Sequence, residues 1–213
     1  PLRLVGSEMC IRDRTYTQYD VVSATETSGD NIADYTVFAG NVLKVTKDGA
    51  SYIDEKGVTK WDVSYAMKMP HAEVCGNYAI VADMNGKDVY VFNVDGEVSR
   101  QTLAYDISNV DIAEQGVYTL VLVGEDCNYI NGYDKDSNTI YELKTTIDKS
   151  GYPMDIDISN DGQKLVTSYM KIQGTKVQSV IAMYNFSSVG QNENADRCLL
   201  YTSPSPRDVE ESR

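Results

Sequence analysis

Apolar residues along this chain fall in short runs cut by Gly, Asn and Asp, and the cuts recur at a near-constant interval. A glycine turn opens an apolar run four times: Gly40 before NVLKV, Gly76 before NYAIVA, Gly116 before VYTLVLV and Gly162 before QKLVTSY. An apolar or aromatic residue followed by Asp or Asn and a turn recurs in the same register, at Ile53-Asp54, Phe92-Asn93, Tyr133-Asp134 and Tyr184-Asn185. The second unit reads as four strands, about Ala72–Val74, Tyr78–Asp83, Asp88–Asn93 and Glu97–Leu103. They are separated by Cys75-Gly76-Asn77, Asn85-Gly86 and Asp95-Gly96. Asn-Gly and Asp-Gly between β-prone runs predict two-residue hairpins of type I′, with both central residues at positive φ, so the strands are expected to be antiparallel neighbours.

The second strand of each unit is continuously apolar (AIVA at 79–82, TLVLV at 119–123), as expected where sheets cover both of its faces. The other strands alternate. Val89 and Val91 oppose Asp88, Tyr90 and Phe92, and Ile156 and Ile158 oppose Asp155 and Asp157. No segment of a dozen residues keeps a helical apolar period uninterrupted. A repeat of about 40 residues with four short strands is the signature of a β-propeller blade. The chain is therefore expected to be all-β, with about four consecutive four-stranded antiparallel blades in an unclosed ring and the first and last blades incomplete.

Composition changes the picture at the ends. Of 213 residues, the segments 1–14 and 198–213 hold five of the seven Arg, three of the five Pro and two of the four Cys. Back-translated, Leu4–Arg14 (LVGSEMCIRDR) is identified as the transposon-end adapter of sequencing libraries. Cys198–Asp208 (CLLYTSPSPRD) is its reverse complement, so both tails are expected to be adapter-derived and the domain is expected at 15–197. The tails carry equal numbers of acidic and basic residues, so the net charge of −13 belongs to the domain. That acidity, with no basic stripe, argues against a nucleic-acid partner. No apolar window approaches the roughly 18 residues of a membrane span; the longest run is Val117–Val123.

Candidate chemistry is sparse. His71 is the only His, so neither a His-based triad nor a two-His metal site can be built within the chain, and a structural or channel-facing role is expected. Cys75 and Cys127 lack partners at metal-ligand spacing and are expected to be small buried apolar side chains. The loop Asp134–Asn138 mimics the start of a calcium loop, but Thr139 and Thr145 stand where Gly and a bidentate Glu are required, so a hairpin turn is expected. Asp155, Asp157 and Asp161 cluster locally without marking a cleft. Asn185-Phe186-Ser187 fits a glycosylation sequon. The sixteen Tyr suit strand packing and could also furnish a carbohydrate-stacking surface. No catalytic, cofactor-binding or metal-ligating residue is assigned, and no cofactor is expected.

Two segments carry a family resemblance. Tyr52-Ile53-Asp54-Glu55-Lys56-Gly57-Val58-Thr59-Lys60-Trp61 resembles the aromatic, Asp, Gly, Trp repeat of quinoprotein-like propellers. Tyr152–Gly162 resembles the Ser-Pro-Asp-Gly turn of other bacterial propeller repeats of the WD40-like and YVTN-like kind, with Asn160 where Pro is usual. Enzymatic quinoproteins stack their cofactor on a channel Trp beside Ca²⁺, whereas Trp61, the only Trp, reads as part of an outer strand. From DGASYIDEKG to MYNFSSVGQNE the chain resembles a bacterial membrane-anchored β-propeller family of unknown function. That resemblance implies an upstream anchor, an extracytoplasmic location at the cell membrane, further blades downstream, and a protein or cell-surface ligand as partner. A non-catalytic binding scaffold is expected; the alternative is a propeller enzyme whose catalytic residues lie in blades outside this chain.

Overall fold

The computed structural model describes residues 32–187 and 198–202. Among the described residues, sixteen strands form four antiparallel sheets, each in simple sequential order. Blade 1 holds β1 (Asp34–Phe38), β2 (Asn41–Val45), β3 (Gly49–Ile53) and β4 (Thr59–Ser64). Blade 2 holds β5 (Pro70–Cys75), β6 (Tyr78–Asp83), β7 (Asp88–Asn93) and β8 (Gly96–Thr102). Blade 3 holds β9 (Asp106–Ile112), β10 (Tyr118–Val123), β11 (Asn128–Tyr133) and β12 (Thr139–Thr145). Blade 4 holds β13 (Tyr152–Ile158), β14 (Lys164–Gln173), β15 (Lys176–Asn185) and β16 (Cys198–Thr202). The first strands β1, β5, β9 and β13 neighbour one another in succession around an open ring.

The expected all-β propeller architecture is what the structure shows, with three differences. Blades 1 and 4 are complete four-stranded sheets. The fourth strand of blade 4 comes from the segment 198–213 that composition had set aside. The outer edge of β15 offers free backbone groups from Val180 to Tyr184, and the β-prone run Cys198–Thr202 satisfies them. The tail 1–14 lies outside the described residues. The third difference concerns turn type. At Asn85-Gly86 only Asn85 takes positive φ (60°), and at Asp95-Gly96 only Gly96 does (136°), so neither is a type I′ turn. The β7–β8 turn residues are Val94 and Asp95, with Asn93 paired to Gly96. The type I′ geometry occurs at Ala39-Gly40 instead, with φ of 45° and 78°.

Three apolar layers fill the spaces between blades. Leu43, Val45, Tyr52 and Phe38 meet Ala79, Val81 and Phe92; Ile80, Ala82 and Val91 meet Leu120, Leu122 and Tyr118; Val121 and Ile130 meet Leu165, Tyr169 and Val180. β6 and β10 are buried along almost their whole length because sheets cover both faces, whereas β2 is buried on one face only, since no sheet among the described residues covers the other. Leu165, Tyr169, Val180 and Ala182 point towards blade 3. By strand parity, their neighbours Val166, Ile181, Met183 and the Ile172–Val177 pair face away from it, and Met183, Ile172 and Val177 are exposed.

The recurrent Asp or Asn has one job in every blade. Each accepts backbone N–H bonds from residues beyond it and closes the turn after the third strand: Asp54 from Lys56 and Val58, Asn93 from Asp95 and Gly96, Asp134 from Asp136 and Asn138, and Asn185 from Ser187, all within 3.0 Å. The residue that follows it docks on the outer strand of the preceding blade. Trp61 Nε1–H donates to Val94 O (3.2 Å), the Ser99 hydroxyl donates to Lys135 O (2.7 Å), and Tyr141 stacks on Phe186 with centroids 4.1 Å apart. Trp61, on the outer strand as expected, is itself stacked between Tyr52 and Phe92.

Candidate functional site

Up-and-down strands put alternate turns on opposite faces of the ring. One face carries the turn between first and second strands and the turn between third and fourth, that is, both repeating landmarks. The opposite face carries the hairpins joining second to third strands and the links between blades, and these do not repeat. Both clefts described below open on this second face, here called the connection face.

The larger cleft, about 490 Å³, lies between blades 2 and 3. Tyr105, in the link from β8 to β9, stacks on Tyr129 of β11 with centroids 5.0 Å apart and planes 16° apart. Tyr105 remains 39% exposed, so the pair leaves ring surface free for a ligand. Gly124 lies beside both rings: a Cβ there would strike the Cys127 carbonyl at 2.6 Å, while standing at an ordinary contact distance of 3.5 Å from each tyrosine ring. Contacts with the Cys127 thiol and then the Tyr105 hydroxyl push the Tyr129 phenol up. Asp106, Glu125 and Asp126 line the cleft together with Lys87 and Lys144, so groups of both charges border it. The walls are fixed by backbone bonds. Asn85 N donates to Ile107 O, Ile107 N to Gly86 O and Leu103 N to Lys87 O, each at 2.8 Å.

The second cleft, about 460 Å³, lies between blades 1 and 2 and is lined by Asp34, Lys47, Lys68, Met69, His71 and Met84 among others. Its link segment is held by Asp83, a buried carboxylate at the end of β6 that accepts from Lys68 N (2.9 Å) and Met69 N (2.7 Å). Gly86 packs directly on that carboxylate.

The residues weighed in the sequence have separate fates. His71 is exposed on β5, the first strand of its blade, with Nε2 2.9 Å from Glu73 Oε1. Asp155 and Asp157 are exposed on β13, where Asp155 accepts from Asn109 Nδ2 at 2.8 Å. Asp161 sits at the far end of that strand in the turn to β14, accepting from Ser159 and Gln163 N, so the three Asp do not converge. On the neighbouring β9, Asp111 accepts from Ile158 N at 2.6 Å, and burial pushes its carboxyl above the usual carboxylate range. The Asp134 loop is the expected hairpin turn, with Asn138 bonded back to the carboxylate. Among the described residues, no group of three or more His, Cys, Asp or Glu is placed to hold a metal ion. Cys75 and Cys127 are free thiols, but they are half-buried rather than fully buried as expected, because each ends a strand or lies in a hairpin where solvent reaches. Asn185 of the sequon uses its side-chain oxygen to close its own turn.

Three residues that shape the connection face escaped sequence reasoning. Asp83 carried a signal, a single carboxylate closing the apolar run AIVA. Tyr105 and Tyr129 carried none, since they stand where the repeat breaks.

Among the described residues no helix is long and apolar enough to cross a membrane. Structural relatives share the propeller architecture at low identity. Hsv2 of Kluyvelomyces marxianus superposes with a TM-score of 0.56 at 12% identity, covering 84% of this chain and 53% of its own. A eukaryotic initiation factor gives 0.54 at 11% identity, covering 81% and 42%. Hsv2p of Kluyveromyces lactis gives 0.52 at 13%, covering 81% and 55%. The chain thus spans about half the length of these structures, and the likeness is one of fold. No curated protein sequence matches it. Residues 12–202 match the profile of a family of unknown function, and the chain belongs to that family, DUF5711.

Proposed function

We propose that the protein is a non-catalytic binding scaffold, carried outside the cytoplasmic membrane of a bacterium by an anchor upstream of this chain, and that it holds its protein or cell-surface ligand on the connection face. One observation carries this reading: both clefts open on the face whose loops depart from the repeat, while the repeated residues of the opposite face are occupied in closing turns and joining blades. Loops on a rigid scaffold are where binding residues concentrate. The competing reading, an enzyme with its reactive groups in other blades, predicts a converging catalytic set in the complete reading frame.

The test is co-sedimentation of the protein with isolated bacterial cell envelopes. Binding is expected for the wild type and for Lys56→Ala on the turn face, and is expected to fall for Lys68→Glu and Tyr105→Ala on the connection face. No binding by the wild type, or equal loss from substitutions on either face, overturns the proposal. Exposure of the full-length protein to protease added outside intact cells checks the location.

A further inference from the structure

We infer that the cleft between blades 2 and 3 is a saccharide site, with the Tyr105–Tyr129 pair as the platform for the apolar face of one sugar ring. This rests on the reading of the connection face as the binding face and names the chemistry of its larger cleft. The volume, about 490 Å³, falls in the range that encloses small molecules. The lining carries both signs of charge. Asp106, Glu125 and Asp126 oppose a phosphate, sulfate or carboxylate, and Lys87 and Lys144 oppose an ammonium or guanidinium group. A hydroxyl suits both, because it donates to a carboxylate with its proton and accepts from an ammonium with its lone pairs. A neutral polyol therefore satisfies carboxylates and ammonium groups at once, and a purely apolar ligand satisfies neither.

The aromatic pair supplies the remaining element. Tyr105 is fixed by its stack on Tyr129, and both rings rest on the Cβ-free side of Gly124, so the platform needs no reordering when a ligand arrives. An aromatic ring offers a weakly negative face to the C–H groups of a pyranose.

Saturation-transfer difference NMR on the 213-residue chain with maltose, cellobiose and N,N′-diacetylchitobiose tests the inference. At least one sugar is expected to respond at millimolar concentration, most strongly at its ring C–H protons. Tyr105→Ala should weaken that sugar about tenfold, the loss of one stacking partner. Asp106→Asn, which keeps the shape and removes a charged acceptor, should weaken it several-fold, and Lys56→Ala should leave it unchanged. No response from any of the three sugars, or equal binding by Tyr105→Ala with its β-sheet circular dichroism intact, overturns the inference. So does a stronger response to inorganic phosphate or choline than to any sugar. Envelope binding that protease treatment of the envelopes abolishes removes the saccharide and leaves the scaffold standing; absence of envelope binding removes the scaffold itself.

Discussion

Replacing Trp61 tests how the blades are coupled. Its indole stacks on Tyr52 of its own blade at 5.5 Å and on Phe92 of blade 2 at 5.1 Å, and donates to Val94 O at 3.2 Å. Two aromatic pairs at about 1 kcal/mol each and one hydrogen bond at about 1 kcal/mol give about 3 kcal/mol for Trp61→Ala. Trp61→Phe keeps a ring between the two neighbours and should cost about 1 kcal/mol, the hydrogen bond alone. Since Trp61 is the only Trp, its removal abolishes indole fluorescence, so the assay is urea unfolding followed by far-ultraviolet circular dichroism. Blade 1 packs on blade 2 through β1 and β2 against β5 and through β4 against β8. A weakened junction should therefore release blade 1 ahead of the rest and broaden the transition, as in arrays whose stability is a sum over neighbours. A Trp61→Ala midpoint within about 0.5 kcal/mol of wild type, or an unchanged slope, would refute the coupling.

Acid stability should depend on the turn carboxylates. The backbone N–H of Val58, then Lys60, hold the Asp54 carboxyl below its ordinary value, and Asn138 does the same for Asp134. A native value below the unfolded one contributes stability that is full above the ordinary carboxylate range, near pH 4, and is lost as pH falls through the lower native value. Asp111 works the other way, because burial raises it and its charged form opposes folding above that range. Asp134→Asn should keep the turn, since Asn93 and Asn185 close the equivalent ones, and flatten the acid limb of a stability–pH curve; an unchanged limb refutes the assignment. The two open flanks predict self-association. Val37 on blade 1 and Ile172, Val177 and Met183 on blade 4 present apolar surface that no sheet among the described residues covers. Sedimentation velocity should show concentration-dependent association or aggregation, reduced by Ile172→Lys with Met183→Lys. A monomeric wild type that melts cooperatively contradicts this.

The blades were legible in the sequence because two landmarks carry backbone demands that few residues meet. Gly40, Gly76, Gly116 and Gly162 all sit at positive φ, and Asp54, Asn93, Asp134 and Asn185 all close turns through a side-chain oxygen. Strand boundaries followed, with Tyr78–Asp83 and Asp88–Asn93 placed as read. Turn type was less legible. Asn85-Gly86 looks like a type I′ pair, but Gly86 packs on the buried Asp83 carboxylate. That carboxylate is held in place by Lys68 N and Met69 N of the link before β5, a tertiary demand that the Asn-Gly pair does not show. The clefts were not legible for the same reason. Tyr105 and Tyr129 lie in different segments and meet only because the strand order of blade 3 brings the start of β9 beside β11 across β10.

The hairpin of β14 and β15 shows what the division between faces permits. Its last three rungs, Lys171–Gln178, Ile172–Val177 and Gln173–Lys176, run past the end of β13, whose pairing stops at Tyr152–Met170. The arm reaches roughly 10 Å beyond the sheet it grows from. Growth of this kind is stepwise: one residue added to each strand moves the tip about 3 Å and turns the new pair to the opposite side of the ribbon. Reach and presentation at a second-to-third-strand hairpin are therefore quantised together, so two rungs must be gained or lost to restore the same side chains to the same direction. Specificity on this side of the ring can change by whole rungs while the turns on the other side, and with them the registration of every blade, stay as they are.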